Sequence, residues 1–217
     1  MPGATVAAGS LDPQGPVAEE IAGLWWLLLS LGAIVYVVFA TLLAVALFRR
    51  PAPEAEPTLH PSASGLARRW IVGAGIVMPV LVLAIVYGAT LESTGDTWRE
   101  PLPNSTIIEV IGHQWFWEVR YPGTDVTSRN ELHIPVGRPV EIRLMSADVI
   151  HSFWVPELAG KMDALPERTN LLVLEADTSG EHTSVCAEFC GLQHAEMIIR
   201  VVAEPRDRFD AWLSGSA

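Results

Sequence analysis

Cys186-Ala187-Glu188-Phe189-Cys190-Gly191-Leu192-Gln193-His194-Ala195-Glu196-Met197 holds both cysteines of the chain, with a histidine and a methionine at short offsets. Thiolate, imidazole and thioether form a soft donor set. Such a set favours copper over magnesium, calcium or manganese. Three plainer readings compete with a copper site. Two cysteines four apart form a disulfide in an oxidising compartment. Two Cys with two His suit zinc, although zinc has little use for Met. A helix would put positions 186, 190, 194 and 197 on one face. Gly191 and the β-branched run after Met197 argue against that helix. The full pattern C-x3-C-x3-H-x2-M is more specific than any part of it. It lacks one ligand, which His151 can supply from a separate loop.

The flanking residues carry a resemblance to a known family. C-x3-C-x3-H-x2-M resembles the binuclear CuA site of cytochrome c oxidase subunit II. Ser146-Ala147-Asp148-Val149-Ile150-His151-Ser152-Phe153 resembles that family's first ligand loop. Gly112-His113-Gln114-Trp115-Phe116-Trp117 resembles its aromatic motif. The likeness covers nearly the whole chain. It implies two coppers bridged by Cys186 and Cys190, with His151 and Met197 on one copper. His194 and the backbone carbonyl of Glu188 fall on the other. It further implies magnesium on the Glu188 carboxylate, shared with subunit I. Trp115 becomes the point where electrons arrive from cytochrome c, and Asp148 a candidate for steering that basic partner. His113 lies in the aromatic motif and is not assigned to copper. His60, His133 and His182 have no supporting pattern.

Working outward, the bulk numbers agree with a membrane protein that carries a small external domain. The chain has 217 residues, half of them hydrophobic, and a net charge of −11. That charge argues against nucleic acid, which needs Lys and Arg to neutralise phosphates. Residues 1–20 are polar and acidic with no Lys or Arg. They lack the cationic start of a secretory signal and read as an external arm that orders on assembly. Residues 21–48 carry no charge and exceed the about 20 apolar residues that cross a bilayer. Residues 49–69 read as a Pro-rich cytoplasmic loop, and residues 70–91 as a second crossing helix with Pro79 inside it. Arg49, Arg50, Arg68 and Arg69 flank that loop, so the positive-inside rule puts the N-terminus and everything after Leu91 outside. The expected location is the inner membrane, two-pass, with residues 97–217 on the periplasmic side.

In residues 97–217 short alternating segments replace the long apolar runs. Ile107–Ile111, Phe116–Tyr121, Glu131–Ile134 and Val140–Met145 read as strands, as do Leu171–Glu175, His182–Val185 and Met197–Val202. Val140, Ile142 and Leu144 alternate with Glu141 and Arg143, one face in and one out. Arg206–Trp212 reads as a closing helix. Short strands without long helical patterns suggest a sandwich or Greek-key barrel. The resemblance sharpens this to an all-β cupredoxin-like Greek-key domain behind a transmembrane α-helical hairpin.

The expected function is electron transfer. As a subunit of cytochrome c oxidase, the chain would take electrons from cytochrome c and pass them to haem in subunit I. Oxygen is reduced there with proton translocation, alongside the other oxidase subunits. The chain has no C-x-x-C-H motif for attaching haem, so alone it should reduce no oxygen. One departure stands out. Family members often carry a Glu at the cytoplasmic start of the second helix, and here no acid occurs between Glu56 and Glu92. No proton-uptake role is therefore assigned. Two alternatives remain: a quinol oxidase subunit of the same fold, whose family members lack the copper ligands, and a membrane-tethered thiol or metal-handling protein. Nitrous oxide reductase has a similar centre but needs a large extra domain.

Overall fold

The computed structural model describes residues 9, 11–49, 65–97 and 105–215. They form two compact units. One joins the two ends of the chain, Met1–Ala22 with Asp96–Ala217, and the other is Gly23–Gly95. The loop expected at 49–69 falls mostly outside the described residues, as does His60.

Helix α1 runs Pro16–Phe48, starting five residues before the apolar run. A proline in the first turn needs no intrahelical N–H partner, and Glu19 beside it suits the positive end of the helix dipole. The second apolar run is α2, Gly65–Val72, then a π turn at Gly73–Val77, then α3, Met78–Thr97. Pro79 explains that turn. It has no N–H to give Gly75, so the ladder must widen nearby. The Met78 N–H bonds the Gly73 carbonyl, five residues back. Both helices are long and apolar enough to cross a bilayer, and none of their apolar core stretch is buried inside the chain. Neither is a core helix of this chain. Helices apolar all round need a non-aqueous surround.

The other unit is a β-sandwich. Its strands are β1 Thr106–His113, β2 Phe116–Arg120, β3 Thr127–Arg129, β4 Glu131–Pro135, β5 Val140–Ser146, β6 His151–Trp154, β7 Met162–Ala164, β8 Asn170–Leu174, β9 Gly180–Cys186 and β10 Ile198–Glu204. One sheet has the order β3-β2-β1-β5-β8 and the other β4-β10-β9-β6-β7. Parallel pairs β1–β5 and β4–β10 within otherwise antiparallel sheets mark Greek-key crossovers. Trp117, Ile142, Leu144, Phe153 and Ile199 fill the space between the sheets with no exposed surface. Glu141 corrects the expected alternation. It is buried, because β5 lies between β1 and β8, and it pairs with the Arg143 guanidinium at 2.8 Å. The last helix is α4, Arg206–Leu213, and its Trp212 stacks on His133.

The described part of the N-terminal arm folds onto this sandwich without any partner. The Gln14 N–H donates to the Glu157 carbonyl at 2.7 Å, and the Gln14 carbonyl accepts the Asp177 N–H at 2.9 Å. Gly15 is buried so tightly that a Cβ there would come 2.3 Å from the Glu175 carbonyl oxygen. Ala18 and Ala22 are buried too.

Candidate metal centre

Strand register assembles the site. β6 and β9 are antiparallel neighbours, with Phe153 opposite Cys186. His151, two residues before Phe153, therefore arrives beside the end of β9 where Cys186 sits. This corrects one expectation: His151 comes from the first position of a strand rather than from a loop. β10 pairs β9 on its other side, and the Cys186 N–H bonds the Met197 carbonyl at 3.0 Å. Between Cys186 and Met197 the chain makes a loop that ends in a 3-10 turn at His194–Glu196. Gly191, at φ +123, lets the loop reverse there.

The donors converge. Cys186 Sγ lies 3.8 Å from Cys190 Sγ, 3.9 Å from His151 Nδ1 and 3.2 Å from the Glu188 carbonyl oxygen. Cys190 Sγ lies 3.6 Å from His194 Nδ1 and 3.8 Å from Met197 Sδ. Both thiols are free. Their separation is nearly twice a disulfide bond of about 2.05 Å. Sulfur and nitrogen held at about 2.3 and 2.0 Å by one tetrahedral metal would stand about 3.5 Å apart. The spacing of the cluster suits soft metal ligation, and His151, Cys186 and Cys190 alone form a buried group able to hold a metal ion. Among the described residues, then, every copper ligand expected from the sequence is brought to one place.

Electrostatics prepare the pair for a cation. Burial raises the Cys186 thiol, but hydrogen bonding to His151 and to the main chain at Ser152 and Glu188 outweighs it and lowers the pKa. Burial and the neighbouring Cys186 charge push Cys190 up. One proton leaves the pair readily and the second only with a positive charge close by, as for any strongly interacting pair.

Residues outside the ligand pattern hold it in place. His151 Nε2 bonds Asp148 Oδ1 at 2.8 Å. The Asp148 carboxylate also accepts the Val149 N–H at 2.6 Å and the Gln114 N–H at 2.7 Å. Burial raises Asp148, yet these bonds from His151 and the main chain leave its pKa below the usual value. Asp148 thus fixes the ring that the sequence offered only as a neighbour. Gly112 presses on the same ring, and a Cβ there would come 2.7 Å from His151 Cδ2. Trp115 is half-buried, and its indole N–H donates to the Cys190 carbonyl at 3.2 Å. The Glu188 carboxylate is exposed, with Lys161 Nζ 3.8 Å away. The other described histidines are occupied elsewhere. His113 bonds Glu118, His133 lies between Glu131 and Glu204, and His182 pairs with Glu157.

Residues 124–204 match the family described as cytochrome C oxidase subunit II, periplasmic domain. The chain is also 35% identical over 209 residues to cytochrome c oxidase subunit 2 of Alkalihalophilus pseudofirmus, covering 95% of this chain and 61% of that one. Residues 124–204 form a domain of the cytochrome c oxidase subunit II family. The whole chain spans less than two thirds of the length of that relative. Quinol oxidase subunit 2 of Bacillus cereus is similar as well, 28% identical over 94% of this chain and 71% of that one. The sandwich resembles the crystal structure of the periplasmic domain of subunit II of cytochrome oxidase (CoxB) of Bradyrhizobium japonicum. There the TM-score is 0.50 and the identity 28%, over 53% of this chain and 96% of that chain.

Proposed function

We propose that this chain is an oxidase subunit II that accepts electrons from cytochrome c at a binuclear copper centre. It passes them to haem in subunit I of an oxidase that reduces oxygen to water with proton translocation. The convergence of two thiols, two imidazoles, a thioether and a carbonyl at one end of the sandwich carries this reading. Bound there, a dicopper pair supplies a one-electron store shared between two metals. The protein's part is positional. Cys186 and Cys190 would hold the pair through their thiolates, His151 and His194 would offer Nδ1, and Met197 and the Glu188 carbonyl would complete the set. Because strands hold His151 and Cys186, and the loop carrying the other donors is anchored at both ends by the β9–β10 pairing, little has to move when the charge of the centre changes by one electron.

Trp115 bonds the Cys190 carbonyl, which suits it to receive the incoming electron. Exposed Val149, Ile150, Phe189 and Leu192 give the site an apolar rim, and Asp148 adds a partly exposed negative charge for a basic cytochrome. The Glu188 carboxylate is the group offered to magnesium shared with subunit I. The helices α1 and α3 cross the inner membrane with the N-terminus and the sandwich on the periplasmic side.

A quinol oxidase subunit is the second reading, favoured by the Bacillus cereus likeness. The complete ligand set weighs against it. The test is to load the purified full chain with copper, count the metal and record its electron paramagnetic resonance spectrum. Two coppers per chain with hyperfine structure from both nuclei are expected, lost in Cys190→Ser. One copper with a single-nucleus pattern, or a disulfide without metal, overturns the reading.

A further inference from the structure

We propose that Gln114 is a positioning residue for the metal centre, clamping the His151 segment to the cysteine loop. Its main-chain N–H donates to Asp148 Oδ2 at 2.7 Å, and Asp148 in turn holds His151 Nε2. Its side-chain Nε2 donates to the Cys190 carbonyl at 2.8 Å. One residue thus reaches both ligand-bearing segments, which are 34 and 76 positions away along the chain. The proposal rests on the reading of the cluster as a copper centre.

Packing does not account for this residue. Gln114 is exposed, so its place is set by its polar bonds rather than by apolar burial. The loop is shaped to receive it. A Cβ on Gly191 would come 3.2 Å from Gln114 Nε2 and 3.1 Å from the Trp115 indole. Glycine therefore keeps the Cys190 carbonyl open to two donors, the Gln114 amide and the Trp115 N–H. With the amide gone, the Cys190 carbonyl keeps one donor and the far end of the loop loses its Gln114 tie to the Asp148 side, while the near end stays bonded through the Ala187 N–H to the Ser152 carbonyl. Cys190 is only 3% exposed, so any added opening of the loop shows up in its thiol.

The experiment compares the full chain with Gln114→Met and Gln114→Ala. Methionine keeps the length and lacks the donor, and all three proteins keep the main-chain N–H. Two quantities are read. The first is the rate at which an aromatic disulfide reagent modifies the thiols of the reduced, copper-free protein. The second is the rate at which a cuprous chelator strips the copper-loaded protein, with the hyperfine pattern recorded beforehand. Loss of one exposed hydrogen bond should raise both rates about two- to fivefold in Gln114→Met, with an altered hyperfine splitting and an unchanged thermal midpoint. If Gln114→Met matches the parent while Gln114→Ala is fast, the side chain only fills space and the clamp is wrong. If neither variant differs from the parent, it is also wrong. If the parent binds no copper pair yet the thiol rates separate, the copper reading fails and the clamp between the two segments stands.

Discussion

At the scale of single residues, the ligands were legible and their supports were not. Cys186, Cys190, His194 and Met197 announce themselves because they lie within one short loop at fixed offsets. Gly112 and Gln114 do not, because their contacts reach 34 positions or more along the chain, and Asp148 does not, because nothing in the sequence shows that its carboxylate turns back on His151 only three positions away. Asp148 was legible only as an acid near a ligand, which suggests partner steering. Its bonds to His151 and Gln114 give it an internal task as well. Gly112 offers a sharp test. Its missing Cβ leaves room for the His151 ring, and the neighbouring atoms belong to a ligand with no exposed surface. Gly112→Ala must push that imidazole away from Cys186. Overpacking of this kind typically costs about 1–3 kcal/mol. The expected result is a chain that folds but holds fewer than two coppers, or holds them with a changed hyperfine pattern. Normal stoichiometry with a parental spectrum would show that the ring has room to give way.

At the scale of elements, alternation found the long strands and missed the short ones. β1, β5, β9 and β10 have seven or eight residues and read clearly. β3, β6 and β7 have only three or four residues, too few for a period-two pattern to show. The most consequential miss was β6, since its pairing with β9 is what brings His151 to Cys186. A second element, the β4–β10 pair, makes a pH prediction. Glu131 on β4 accepts from His133 and from Arg200 on β10. Those hydrogen bonds, His133 first, hold its pKa below the ordinary carboxylate value. The unfolded chain, with an ordinary Glu pKa of about 4.3, then binds a proton before the folded one does. Stability from this group is full above that range and is lost as pH falls through it. The thermal midpoint of the sandwich should therefore drop on acidification from about pH 5 to 3. In Glu131→Gln the same fall should be shallower, starting from a lower midpoint at neutral pH. Parallel curves for parent and variant would remove Glu131 from the acid response.

At the scale of the whole molecule, the two ends of the chain share one unit. Composition gave no warning of this. Residues 11–15 are polar, short and proline-bearing, and such a stretch normally reads as a loose arm. What docks them is backbone bonding by Gln14 and the absence of a side chain at Gly15, neither of which leaves a trace in hydropathy. The consequence is that the sandwich is not finished by residues 97–217. Leu158, Ala159 and Ala176 are buried in the folded unit, and the segments that carry or adjoin them, around Glu157 and Asp177, are where the arm bonds. Gly15→Ala in the full chain tests this directly. Backbone oxygen 2.3 Å from the new Cβ cannot rotate aside as a side-chain tip can, so either the arm or the Glu175 strand end must shift. A loss of about 1–2 kcal/mol would lower the midpoint of the sandwich by several degrees, on the scale of about 4–8 °C per kcal/mol for a domain near 100 residues. The chain should also be cut by a glutamyl endopeptidase at Glu19 and Glu20, in the first turns of α1, faster than the parent is. A lower midpoint with no faster cleavage would mean that the strain is absorbed inside the sandwich while the arm stays docked. An unchanged midpoint together with unchanged cleavage would mean that the arm adds nothing to the stability of the metal-binding unit, and residues 97–217 could then stand for it alone.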